Sequence, residues 1–278
     1  MTVRIVTDSA SDLTPGEAEA LGVDIVPLSI RFGEEVFLDR EELDVEEFYR
    51  RMASSEDLPQ TAAPAPGAFQ EVFRRRFAEG ADAIVCINLS SGVSATMESS
   101  ELAAREVDGD VRVVDSRSVT AGLGVMVQAA AQAAARGASA DEIVTLVEGM
   151  RDRTRVFGAI DTLENLKKGG RIGNAQALLG SMLSIKPLID ISSGVVEEAG
   201  RQRTRKKPLG WLRDKVAEHA EDIETLSVMH AQAEDIGDLV EMLAPLIDPS
   251  ALRVGVIGPV VASHGGPGLI GLCFTLKG

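Results

Sequence analysis

Short aliphatic runs recur through the first half of the chain, at Val3 to Val6, Val23 to Ile30, Ala83 to Ile87 and Val111 to Val114. Helical patterns stand between them. This alternation constrains the fold more than any other feature. Strands that are apolar on both faces belong in a parallel sheet with helices on each side, because parallel neighbours need a long crossover. The expected fold is therefore α/β. An N-terminal α/β/α sandwich with a mainly parallel sheet occupies residues 1–153. Helix signals support it. Thr14-Pro15-Gly16-Glu17 has a capping-box pattern with proline at the first position. Asp44-Val45-Glu46-Glu47 caps a helix to about Ala53, and an alanine-rich helix runs from about Thr120 to Arg136 and stops at Gly137. Phe69, Val72, Phe73 and Phe77 recur at helical spacing and read as core.

The pattern changes near 152–156. A strand at Val156 to Ile160 leads to a short helix, Leu163 to Lys168, and to a further helix capped by Asn174 and ending near Ser181. Ser192-Ser193-Gly194 joins a hairpin, and helices at about 208–220 and 232–246 alternate with strands at 225–230, 252–258 and 269–276. This predicts a smaller C-terminal α+β domain over 154–278 with a mixed or antiparallel sheet.

Ligands of open α/β sheets bind beyond the carboxyl ends of the strands. The loops there, 7–12, 58–67, 90–96 and 115–118, are rich in Ser, Thr, Asp or small residues. Leu89 to Thr96 is the most pointed. It joins a buried strand to a helix whose first N–H groups lack partners, and Ser94 and Thr96 add donors. An N-cap and a pocket for a small anion are both consistent with it. Global charge does not help an anion here: the net charge is −15, which also argues against nucleic acid and anionic membranes as partners. Aromatic residues are 4% of the chain, so the core is aliphatic. Cys86 and Cys273 lie in apolar runs and read as inert, with no disulfide framework, which fits a reducing cytoplasm. No run of 18 apolar residues exists, so no integral membrane span is expected.

The residues admit several chemistries. Gly92-Val93-Ser94-Ala95-Thr96 approaches a nucleophile elbow but lacks its last glycine. His264-Gly265-Gly266-Pro267-Gly268 is like an oxyanion-hole loop, though it follows the serine instead of preceding it. A Ser94/His264 hydrolase of acyl esters remains an alternative. Gly122-Leu123-Gly124 has no third glycine, and no phosphate-binding G-K-[ST] loop is present. No cofactor is expected. His219, His230 and His264 are scattered, and Asp8 and Asp12 are placed as turn formers as readily as magnesium ligands, so no metal is expected. A protein that binds a phosphate ligand with the same loops is a third reading.

An ordered set of short motifs resembles the DegV family of fatty-acid-binding proteins. The set is Thr7-Asp8-Ser9 with Asp12-Leu13, Thr61 to Pro64, Ser90 to Thr96, Val114-Asp115-Ser116, Leu166 to Ile172, Ile185-Lys186-Pro187 and His264 to Gly268. It spans nearly the whole chain. The resemblance implies a non-enzymatic carrier with no catalytic residue of its own. One long-chain fatty acid would lie in a buried tunnel between the two domains. Its carboxylate would be presented to a fatty acid kinase catalytic subunit, whose acyl phosphate feeds phospholipid synthesis. It also implies that Thr61 and Ser94 hydrogen-bond the carboxylate, with His264 close by, Ala95 at the adjoining backbone N–H, and Arg171 in support. The sequence departs from the family pattern where T-S-x-P-S is Thr61-Ala62-Ala63-Pro64-Ala65, and where S-G-T is Ser94-Ala95-Thr96. The basic run Arg201, Arg203, Arg205, Lys206 and Lys207 is a candidate docking patch in an otherwise acidic chain.

Overall fold

The computed structural model describes residues 1–55, 57–178, 185–204, 206–248 and 251–278. Two compact units divide the chain, Met1–Asp152 and Arg153–Gly278.

In the first unit four strands form a wholly parallel sheet. They are β1 (Val3–Asp8), β2 (Val23–Val26), β6 (Ala83–Asn88) and β7 (Asp110–Asp115), in the order β2-β1-β6-β7. Between β2 and β6 the chain forms β3 (Ser29–Phe32), β4 (Glu35–Leu38), α2 (Val45–Ser54), β5 (Gln60–Ala62) and α3 (Pro66–Ala78). The central strand β6 is buried at all six positions, as a strand covered on both faces must be. On one face α3 and α4 (Thr96–Arg105) supply Phe69, Phe73 and Ala103 against Val6, Val26, Ile84 and Cys86. On the other lie α1 (Pro15–Leu21) and α5 (Ala121–Ala135), the latter burying Leu123, Met126, Val127 and Ala130. Helix α6 (Ala140–Arg153) ends the unit. The capping box of α1 is formed in full, with Thr14 and Glu17 each satisfying the other's backbone N–H.

One expected strand is broken. Val23 to Ile30 divides between two sheets, because Pro27 has no N–H to donate and the Leu28 N–H turns to the Ser9 hydroxyl at 3.1 Å. The continuation, β3, is the middle of a second, antiparallel sheet in the order β4-β3-β5. Strand β5 falls inside the stretch expected to be loop.

The second unit begins with β8 (Thr154–Ala159), α7 (Glu164–Lys168), β9 (Lys186–Asp190) and β10 (Glu197–Gln202). It continues with α8 (Lys206–Ala217), β11 (Ile223–His230), α9 (Ile236–Leu243), β12 (Leu252–Val256), α10 (Pro259–Gly265) and β13 (Ile270–Leu276). The sheet order is β10-β9-β8-β13-β11-β12. Only β11 and β12 pair in parallel, so the sheet is mixed, as expected of an α+β domain. Leu209, Leu212 and Val216 of α8 and Leu239 and Leu243 of α9 pack on Leu226, Val228, Ile270, Leu272 and Phe274. The segment after Asn174 is a 3-10 turn, Gly173–Leu178, and its expected end at Ser181 lies outside the described residues. His219 follows α8 and packs its ring 5.6 Å from that of Phe274. Cys86 and Cys273 are free and buried.

Phe73 is fully buried where α3 meets the parallel sheet. Phe73→Ala is expected to destabilise the first unit by about 3–5 kcal/mol, measured as a lower urea midpoint with an unchanged slope.

Candidate functional site

Strand order reverses between β1 and β6, which makes their carboxyl ends the crevice where such a sheet takes a ligand. The protein fills the floor of that crevice itself. Asp8, at the end of β1, accepts hydrogen bonds from the N–H of Leu89 at 2.8 Å, the side-chain amide of Asn88 at 3.1 Å and the N–H of Ala10 at 3.1 Å. Burial pushes its pKa up to about 6; the three donors oppose the rise, and Asp12 adds to it. Asp12 and Asp39 are buried nearby. A floor lined by carboxyl groups disfavours a second strong anion such as a phosphate ester at that point. Among the described residues no cluster could hold a metal ion, and Asp8 acts as a turn former, capping the short 3-10 turn Ser9–Ser11.

The rim of the crevice is built from hydroxyls. Asp115, at the end of β7, accepts from the Ser91 hydroxyl at 2.6 Å and from the N–H groups of Ser91 at 3.2 Å and Arg117 at 2.8 Å. The Ser90 N–H donates to the Ser118 carbonyl at 2.9 Å, so the loops after β6 and β7 are laced together. This lacing holds Ser94 half-buried at the start of α4. Its hydroxyl accepts from the Thr96 N–H at 3.3 Å and lies 2.9 Å from the Thr96 hydroxyl. The N-cap reading is thus realised one residue before the formal cap position, which is the exposed Ala95. Thr61 is half-buried on β5, opposite Ile30 of β3.

The other two expected residues belong to the second unit. His264 is in the last turn of α10, and Arg171 follows α7. The Arg171 guanidinium donates to the Gly169 carbonyl at 2.7 Å. Burial, with the nearby Arg171 charge, lowers the His264 pKa to about 4. The imidazole is therefore neutral at neutral pH, able to donate at one nitrogen and accept at the other. Two neighbours carried no signal of their own in the sequence. A β-carbon at Gly169 would overlap His264 Nδ1, so the imidazole has room only because residue 169 is glycine. Asn165, buried on α7, donates to the Ser263 carbonyl at 3.2 Å and ties α7 to α10. The doubled glycine in Leu166 to Ile172 was the available clue.

Residues 2–277 match the family model described as "Uncharacterised protein, DegV family". This chain belongs to the DegV family. A DegV domain-containing protein of Deinococcus radiodurans is 36% identical over 275 residues, covering 98% of each chain. The DegV family protein of Thermus thermophilus, described by its fatty acid binding, superposes with a TM-score of 0.91 at 35% identity, covering 99% of this chain and 100% of that one. A stearic acid-binding protein of Eubacterium ventriosum superposes with a TM-score of 0.88 at 27% identity, covering 99% and 98%. The α/β architecture of this chain is the fold of these DegV proteins.

Because folding lowers the His264 pKa, this group stabilises the protein above the unfolded value near 6.5, and the contribution is lost as pH falls toward about 4. Its ring resonances are expected to stay flat from pH 8 to 5.5 by NMR and to move only below that. A midpoint near 6.5 would mean that the imidazole is solvated. Gly169→Ala is expected to displace the ring and raise the midpoint.

Proposed function

We propose that this protein binds one long-chain fatty acid per chain with its acyl tail buried, and presents the carboxylate to a separate kinase. The observation that carries this reading is the near full-length likeness, in sequence and fold, to the fatty-acid-binding DegV protein of Thermus thermophilus. The proposed head-group contacts are the Thr61 and Ser94 hydroxyls and the neutral His264 imidazole, with Ala95 at the adjoining N–H and Arg171 behind the histidine. All three direct contacts are uncharged at neutral pH. Such a set suffices when the tail supplies the affinity. Each buried methylene contributes about 0.8 kcal/mol, so a long chain offers on the order of 10 kcal/mol. Each hydrogen bond adds roughly 1 kcal/mol net.

In the proposed reaction a carboxylate oxygen attacks the terminal phosphorus of ATP on the partner kinase, ADP leaves, and the acyl phosphate remains on this protein. The carrier contributes binding and orientation. Docking is assigned to the exposed Arg201, Arg203, Lys206 and Lys207; Arg205 lies outside the described residues. Lys206 and Lys207 open helix α8, where the dipole disfavours cations. Their exposed charge at that end suits a role in contacting an acidic partner. No helix among the described residues is long and apolar enough to cross a membrane.

Mass spectrometry of an organic extract of the purified protein is expected to show about one fatty acid per chain. A protein that is empty and takes up no added fatty acid would overturn the proposal. Replacing Thr61 and Ser94 together by Ala is expected to weaken fatty-acid binding by on the order of tenfold or more, from the loss of about two hydrogen bonds. Unchanged affinity would remove both from the head-group site. Covalent labelling of Ser94 by a fluorophosphonate would favour the acyl-ester hydrolase instead.

A further inference from the structure

Five non-glycine residues among those described have left-handed backbone, at Asp12, Arg40, Arg117, Thr120 and Gln232. Three of them meet. Arg40 donates from Nη2 to Asp12 Oδ1 at 2.7 Å, and Thr120 donates from its hydroxyl to Asp12 Oδ2 at 2.5 Å. Arg40 also donates to the Leu13 carbonyl, and the Thr120 N–H donates to the Ala10 carbonyl at 2.8 Å. The node joins the loop after β1, the loop after β4 and the start of α5. Strained backbone persists only where its surroundings over-determine it, and it gathers at clamps and switches.

Next to this node is a carboxyl group that none of these contacts uses. Asp39 is 1% exposed, and neither of its oxygens has a well-formed hydrogen bond. Arg40 Nε stands 3.9 Å away, and the Ser9 hydroxyl approaches it. The charged groups that act on it are Asp8 at the end of β1, Asp12 in the loop that follows, and Arg40 beside it; Glu41 and Glu19 line the same open cavity of about 320 Å³, and Tyr49 on α2 feels Asp12.

The path from Asp39 to Thr61 is short. The Asp39 N–H donates to the Leu28 carbonyl at 2.9 Å, extending the β3–β4 ladder by one step. The Leu28 N–H is held by Ser9, and two residues along β3 Ile30 pairs with Thr61.

We propose that Asp39 and Arg40 are positioning residues for Thr61, operated by a proton. With Asp39 neutral, Arg40 stays on Asp12 and the β3–β5 ladder is held in place. With Asp39 ionised, a second buried carboxylate competes for the same guanidinium, and the ladder carrying Thr61 loosens. This rests on the reading of Thr61 as a head-group contact. Burial pushes the Asp39 pKa up to about 7 against the pull of Arg40 and Ser9, with Asp12 and Asp8 adding to the rise. The raised value means that folding favours the neutral form. The stabilising effect is complete below the ordinary carboxyl range and declines as pH rises toward about 7.

The test uses the delipidated full chain and cis-parinarate as the fluorescent fatty acid, titrated from pH 5.5 to 8.5. Affinity of the natural sequence is expected to fall by about fivefold or more as pH rises through 7, the size of an ordinary coupling between sites. Asp39→Asn, which mimics the protonated carboxyl, is expected to flatten that profile; the same profile in both proteins overturns the proposal. The Thr61 amide resonance of the lipid-free protein supplies a second readout. It is expected to titrate near pH 7 in the natural sequence and not in Asp39→Asn, and a Thr61 resonance that does not move overturns the proposal. A titrating Thr61 in a protein that binds no cis-parinarate would instead overturn the head-group reading and leave the positioning device standing. Arg40→Lys, which keeps the charge but not the double contact, is expected to raise the midpoint; an unchanged midpoint removes the guanidinium from the device.

Discussion

The carboxylate of Asp8 is the point from which the first unit is organised. A parallel sheet delivers its strands to one end with backbone donors still unpaired, and burying those donors without partners is costly. One aspartate at the end of β1 accepts from the N–H groups of Ala10 and Leu89 and from the Asn88 amide, so the loops leaving β1 and β6 share a single acceptor. The Thr7 hydroxyl adds a bond to the Ile87 carbonyl at 2.8 Å across the same pair of strands. An internal anion thereby takes the place that many folds of this class leave for a ligand's phosphate.

That choice shapes the chemistry left to the rim. With a buried acid at the floor and a net charge of −15, the protein offers an anionic head group no electrostatic attraction from its bulk. What remains at the strand ends of the first unit are neutral hydroxyls, Ser94 and Thr96 paired at 2.9 Å; in the second unit, separately, the His264 imidazole is kept unprotonated by burial and by Arg171. Weak polar recognition of this kind suits a ligand whose binding free energy comes from methylene groups.

Much of this was legible from residue order. The period of the aliphatic runs marked the parallel sheet, and the Thr14 capping box and the phenylalanines of α3 fell where their spacing put them. Ser94 was legible as a strand-to-helix turn with a hydroxyl to spare. The small sheet was not. Strand β5 is three residues in a stretch of Ala and Pro, and it pairs with β3 some thirty residues earlier. Nothing local marks such a strand. Asp39 and Arg40 were likewise unremarkable at a loop, because what distinguishes them is burial beside Asp8 and Asp12.

The sequence by itself determined the fold class, the family and the inventory of polar groups, because periodicity, caps and motif order are local properties of the chain. Only the tertiary structure decided which of those groups are charged and what each one holds. Asp8 became a structural acceptor, His264 a neutral ring seated over Gly169, and Asp39 a buried acid facing an engaged arginine. The reason is physical: the state of an ionisable group depends on the solvent it loses and on partners distant in sequence, and neither exists until the chain has folded.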